Sequence, residues 1–169
     1  MDIAISRSAS VAELQERIGR HLTGLLVVPD IECLGSLRQQ ADVLMWVCEN
    51  PSEFPVGLGV SVSLIDGVDY EHWLIELARV LSVEFACRTI CDGSEFGDSG
   101  GPYWSIVWDN GTPFLADDAG TTIGDGEGGP VRIVGPLWEF HIDIEQGSLD
   151  RTILRESGSS PKKLVLMVA

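Results

Sequence analysis

The chain predicts an α+β domain, a mostly antiparallel sheet with two main helices packed on it. Three observations point there. Two segments, after Ser10 and after Asp69, repeat apolar residues at helical spacing. Short runs rich in β-branched and aromatic residues outnumber those helices. The second half is almost wholly strand and turn material, so helices and strands do not alternate regularly. At 169 residues a single domain over 1–169 suffices, large enough to bury roughly 70% of the surface of the unfolded chain.

In chain order, Asp2 to Ser6 alternates as a short strand. Ser10 with Glu13 forms a capping-box signature, and Val11, Leu14, Ile18 and Leu22 give one apolar stripe, predicting a helix to about Thr23. Leu25 to Val28 is brief, apolar and stopped by Pro29, hence strand or buried loop. One further short helix fits Ile31 to Gln40. Val43 to Cys48 is apolar on both faces, which predicts a central strand ending at Asn50-Pro51-Ser52. Leu58 to Ile65 is the next strand.

Asp66 or Asp69 can cap the second helix, where Trp73, Leu77, Val80 and Leu81 form the apolar stripe and Glu71, Glu76 and Arg79 stay wet. Glu84 to Cys91 reads as the returning strand. Tyr103 to Asp109 is predicted to turn at Asn110-Gly111, a dipeptide suited to positive φ, into Thr112 to Ala116. Further strands fit Val131–Val134, Trp138–Ile144, Thr152–Arg155 and Leu164–Val168.

The formal net charge is −15, from 26 acidic and 11 basic residues, while 44% of residues are hydrophobic. That balance describes a folded body with acid on its surface, not a disordered chain. Such a surplus repels phosphate backbones and anionic membranes and speeds encounter with positive partners, so neither nucleic acid nor membrane is expected as a partner. Cys33, Cys48, Cys87 and Cys91 lie in apolar runs without a CxxC pair, and are expected as reduced, buried thiols of a cytoplasmic protein. No apolar run approaches the ~18 residues of a membrane span.

The acid concentrates between Thr89 and Val131. Asp92, Glu95, Asp98, Asp109, Asp117, Asp118, Asp125 and Glu127 all fall there, with no Lys, Arg or His and with ten of the 19 glycines. A cation is the natural partner, either a metal ion or the basic face of another protein. The spacing of Asp117, Asp118, Asp125 and Glu127 fails the DxDxDG calcium loop, and His141 with Asp143 has no third ligand, so no metal and no cofactor is expected. The acids also argue against a phosphate cradle at Gly124–Gly129. Trp104 and Trp108 fall on one side of a strand flanked by carboxylates. They are either core residues or a hot spot within a charged rim.

Gly97-Asp98-Ser99-Gly100-Gly101-Pro102 matches the nucleophile loop of trypsin-like serine proteases. That resemblance covers six residues. His21 and His72, the upstream histidines, both fall on predicted helices and lack that family's histidine motif, so a serine hydrolase is the lesser reading and no catalytic residue is expected.

A second resemblance lies in the order of parts from Tyr70 to Gly111. A leucine-rich helix (His72 to Leu81) is followed by a strand, an acidic loop, the run Pro102-Tyr103-Trp104-Ser105-Ile106-Val107 and the turn Asp109-Asn110-Gly111. This resembles the small acidic immunity proteins of bacterial polymorphic and contact-dependent toxin systems. The resemblance implies a non-enzymatic cytoplasmic protein that binds and neutralises a cognate secreted toxin domain, for example a nuclease, whose basic face an acidic surface would attract. On that reading the toxin-binding set is Asp92, Glu95, Asp98, Asp117, Asp118, Asp125 and Glu127, with Trp104 or Trp108 as anchors where exposed. An acidic secretion chaperone is the alternative.

Overall fold

The structure is a computed structural model and describes residues 1–22, 25–30, 40–62, 70–96, 103–123, 128–137, 148–153 and 162–167. The expected helix at Ile31–Gln40, the caps Asp66 and Asp69, the Gly97–Pro102 loop, and the strand Trp138–Ile144 with His141 and Asp143 lie wholly or almost wholly outside them. So do Cys33, Asp98, Asp125 and Glu127.

The fold is α+β. Eight strands form one sheet in the order β2-β3-β4-β1-β5-β6-β7-β8, and every pairing except β2 with β3 is antiparallel. β1 (Ile3–Ile5) sits in the middle, between β4 (Val56–Val62) and β5 (Arg88–Asp92). β2 (Val27–Pro29) and β3 (Val43–Glu49) form one flank. β6 (Trp104–Asp109), β7 (Thr112–Asp117) and β8 (Arg132–Pro136) form the other. β9 (Ser148–Ile153) and β10 (Lys162–Met167) pair as a separate hairpin.

Alternation sorts the side chains between the two faces. One face carries Ile3, Ile5, Met45, Leu58, Cys91, Ile106 and Trp108, and packs against Leu14 and Ile18 of α1 (Val11–His21) and Leu77 and Leu81 of α2 (Tyr70–Glu84). The other carries Ala4, Ile90, Val107 and Ala116 under Phe54 and Val131, which come from loops. Glu53 ties those loops to the sheet, accepting from Val131 N–H at 2.6 Å and from Arg88 at 2.6 Å.

α1 begins as its sequence dictates, with Ser10 Oγ accepting from Glu13 N–H at 3.2 Å. Four expectations need correction. Glu84 remains helical, and α2 ends in a Schellman motif: Cys87 N–H bonds Ser82 C=O, Ala86 N–H bonds Val83 C=O, and Ala86 takes φ +46°. No glycine marks that stop, so the sequence alone starts the strand too early, at Glu84. The buried stripe of α2 is Ile75, Leu77, Ala78, Leu81 and Ser82, while Trp73 and Val80 are only half covered.

β3 is second from the sheet edge, not central. Its outer face leaves Trp46 38% exposed and Cys48 exposed, because the facing positions on β4 are Gly59 and Gly57, which bring no side chains to cover them. A Cβ at Gly59 would stand 2.0 Å from the Trp46 indole, so the ring lies across bare backbone. The cysteines are therefore not uniformly buried: Cys91 is, Cys87 is half-buried and Cys48 is exposed.

Asn110 and Gly111 both adopt positive φ, +46° and +85°, and close the β6–β7 hairpin as a two-residue turn. Trp108 is fully buried in the core between sheet and helices. It cannot serve as a surface anchor.

Candidate functional site

The functional candidates depend on which strand ends meet. β1 runs antiparallel to β5 with Ile3 opposite Cys91, so Asp2 and Asp92 take the next positions outward on neighbouring strands. Asp92 faces Ser105 on β6, and β7 ends at Asp117 beside Trp104. Asp118 N–H then bonds Tyr103 C=O at 3.0 Å. Asp2, Asp92, Asp117 and Asp118, distant in sequence, thus share one end of the sheet.

Gly93 makes this convergence close. A Cβ there would lie 2.6 Å from the Ser105 backbone, so only glycine lets β5 turn away against β6. Asp92 stabilises that turn, accepting from Ser94 N–H and Ser94 Oγ–H, each at 3.1 Å. Glu95 follows within the 3₁₀ turn Ser94–Phe96. Asp2 accepts from Val60 N–H at 2.7 Å.

A cavity of about 280 Å³ opens here, lined by Asp2, Asp92, Asp118, Ser105, Tyr103 and Trp104 among others. A second, of about 250 Å³, shares Asp2 and Asp92 and reaches Tyr70 and Glu71 at the start of α2 and Ser94 in the 3₁₀ turn. Trp104 is half-buried, and Asp92 is exposed at the rim.

Asp117 and Asp118 behave differently although adjacent. The Arg132 guanidinium holds the Asp117 carboxyl below the usual carboxylate range, helped by Ala119 N–H. Asp118 is 7% exposed, and burial pushes its carboxyl up, as do the charges of Asp117 and Asp92, against a hydrogen bond from Ser105 that favours ionisation. Its Oδ2 accepts from Ser105 Oγ, whereas its buried Oδ1 has no hydrogen-bond partner among the described residues.

Positive side chains collect at the opposite strand ends. Arg17 bonds the Glu84 carbonyl at 3.0 Å and its carboxylate at 2.5 Å, and Arg7 and Arg17 both lie over the Phe85 ring, at 5.1 and 5.3 Å. These charges complement the C-terminal end of the α2 dipole. Arg88 pairs with Glu53. Among the described side chains, Arg132 is the cation at the acidic end, and Asp117 occupies it.

Of the nine residues singled out in the sequence, the structure brings together Asp92, Trp104, Asp117 and Asp118, with Glu95 in the adjoining turn. It removes Trp108 to the core. Asp118 is buried, so it faces a cavity instead of forming part of an open acidic surface. Asp2, Tyr103 and Ser105 were missed. Ser105 had left a signal, a hydroxyl in an otherwise apolar strand at a position of Val107 parity, whereas Asp2 left none.

No helix among the described residues is long and apolar enough to cross a membrane. No protein-family model matches the chain, and no curated protein or solved structure matches it significantly.

Proposed function

We propose that this protein is a cytoplasmic immunity protein whose acidic end captures a basic face of a cognate toxin domain. The observation that carries this reading is the convergence of carboxylates from distant parts of the chain at one end of the sheet. Asp2, Asp92, Asp117 and Asp118 meet there with Arg132 and the N-terminal ammonium of Met1 as the described cations, whereas Arg7, Arg17, Arg20 and Arg88 toward the other end are each paired with a glutamate. A concave surface with an excess of one sign focuses its field outward and accelerates encounter with an opposite charge. A nuclease toxin, with a groove built for phosphates, would present such a charge, and occupying the groove would block its substrate.

The reading assigns no catalytic residue and no cofactor. Binding would use Asp92, Asp117 and Asp118 with Trp104, together with Glu95 and the sequence-designated Asp98, Asp125 and Glu127. The test is genetic. Co-expression with the toxic C-terminal domain encoded by the adjacent reading frame should restore growth, and the two proteins should co-purify. Unrelieved toxicity, or an adjacent frame encoding no toxin, would contradict it.

A further inference from the structure

We infer that the cavity lined by Asp118, Ser105, Asp92, Tyr103 and Trp104 is the seat for one arginine side chain of the protein partner. This rests on the immunity reading and names the group that reading would have the partner insert.

Two independent observations meet there. The first is an excess of acid: Asp2, Asp92 and Asp118 line the cavity against the N-terminal ammonium of Met1, and Arg132 is bound to Asp117. The second is a buried acceptor with no donor among the described residues. Asp118 is more than nine-tenths buried, Oδ2 takes the Ser105 hydroxyl, and Oδ1 has no partner among the described residues. Buried carboxylate oxygens are ordinarily satisfied, so an orphan oxygen on a residue that lines the cavity marks the place for an incoming donor.

The chemistry of that donor follows from the surroundings. At about 280 Å³ the cavity exceeds the ~30 Å³ share of one water, so it is more than a hydration hole. Among the described residues no three carboxylate, thiol or imidazole groups stand close enough to share a metal ion, so the arrangement suits an extended cation. A guanidinium carries several donors in one plane, and its weakly hydrated faces lie well against aromatic rings such as those of Tyr103 and Trp104. Asp92 at the rim would then meet the outer edge of the group.

The test uses the full-length protein and N-acetyl-arginine amide, with the matching citrulline compound as a neutral isostere, followed by NMR. Saturable shifts at Ser105, Asp118 and the Trp104 indole N–H are expected with arginine and not with citrulline. Asp118→Asn should weaken binding about tenfold or more, the usual scale of a hydrogen bond to a charged group. If that variant fails to fold, Asp92→Asn at the exposed rim should weaken it about two- to fivefold.

No saturable shift, equal binding of citrulline, or undiminished binding by the folded variants would overturn the inference. A pair that protects cells while blocked arginine leaves Asp118 unperturbed removes the arginine seat and keeps the immunity reading. Arginine binding by a protein that neutralises no adjacent toxin does the reverse.

Discussion

Ser105 on β6 donates its hydroxyl to Oδ2 of Asp118 at the end of β7, and both side chains are buried. The bond fixes one carboxylate oxygen and leaves the other without a partner among the described residues, at a cost to the fold. An acid whose folded pKa is raised contributes stability below its ordinary pKa, and loses it as pH rises through the raised value. At neutral pH Asp118 therefore destabilises the fold. Asp118→Asn should melt above the wild type at pH 7, with the gap closing as pH falls below the usual carboxylate range. Paired thermal melts across pH check this, and a gap that widens on acidification would contradict it.

The acid-paired groups have the opposite sign. The Arg17 hydrogen bond lowers the Glu84 pKa, as Arg132 does for Asp117, so each contributes stability above its ordinary pKa and loses it as pH falls through its folded one. Comparing Asp118→Asn with the wild type subtracts these shared terms.

Trp108 and Trp104 should separate fold from binding. Trp108→Ala empties a fully buried site and should cost about 3–5 kcal/mol in denaturant unfolding. Trp104 is half-buried at the cavity, so Trp104→Ala should cost less stability while weakening partner binding. Equal stability losses would contradict the assigned positions.

Ala86 holds φ +46° at the end of α2, a conformation that costs a β-carbon roughly 1 kcal/mol and glycine little. Ala86→Gly should raise stability by about that amount. A clear loss in urea unfolding would show that the Schellman stop is not formed.

What the sequence disclosed was local. Ser10 with Glu13 announced α1, and Asn110-Gly111 announced the β6–β7 turn, because each feature satisfies its own backbone within a few residues. What stayed hidden depended on distant pairing. Nothing near Asp2 shows that β1 inserts between β4 and β5, yet that insertion brings Asp2 beside Asp92. Trp46 looked like a core residue because its cover is missing on another strand, at Gly59. Alternation grouped Trp104 with Trp108 but could not say that the helices lie on that side of Trp108.

Tyr70 joins the start of α2 to the middle of the sheet, donating its hydroxyl to Val60 C=O with Asp2 Oδ2 at 3.4 Å. Burial, with the Asp2 charge, pushes its pKa up to about 12. The stability this contributes is present below pH 10 and is lost as pH rises through about 12. The tyrosinate absorbance that Tyr70→Phe removes should appear only toward pH 12. Its appearance near pH 10 would contradict the hydrogen-bonded hydroxyl beside Asp2. Loss of the hydrogen bond should also cost about 0.5–1 kcal/mol.

The most direct test of capture by the acidic end is the rate at which the protein associates with the adjacent-frame toxin domain as salt is raised. With steering, the rate should begin well above ~10⁵–10⁶ M⁻¹s⁻¹ and fall steeply as the screening length shrinks from about 30 Å at 0.01 M to about 8 Å at 0.15 M. Neutralising Asp92, Asp117 and Asp118 together should flatten that dependence. A rate indifferent to both salt and those three substitutions would contradict capture through the acidic end.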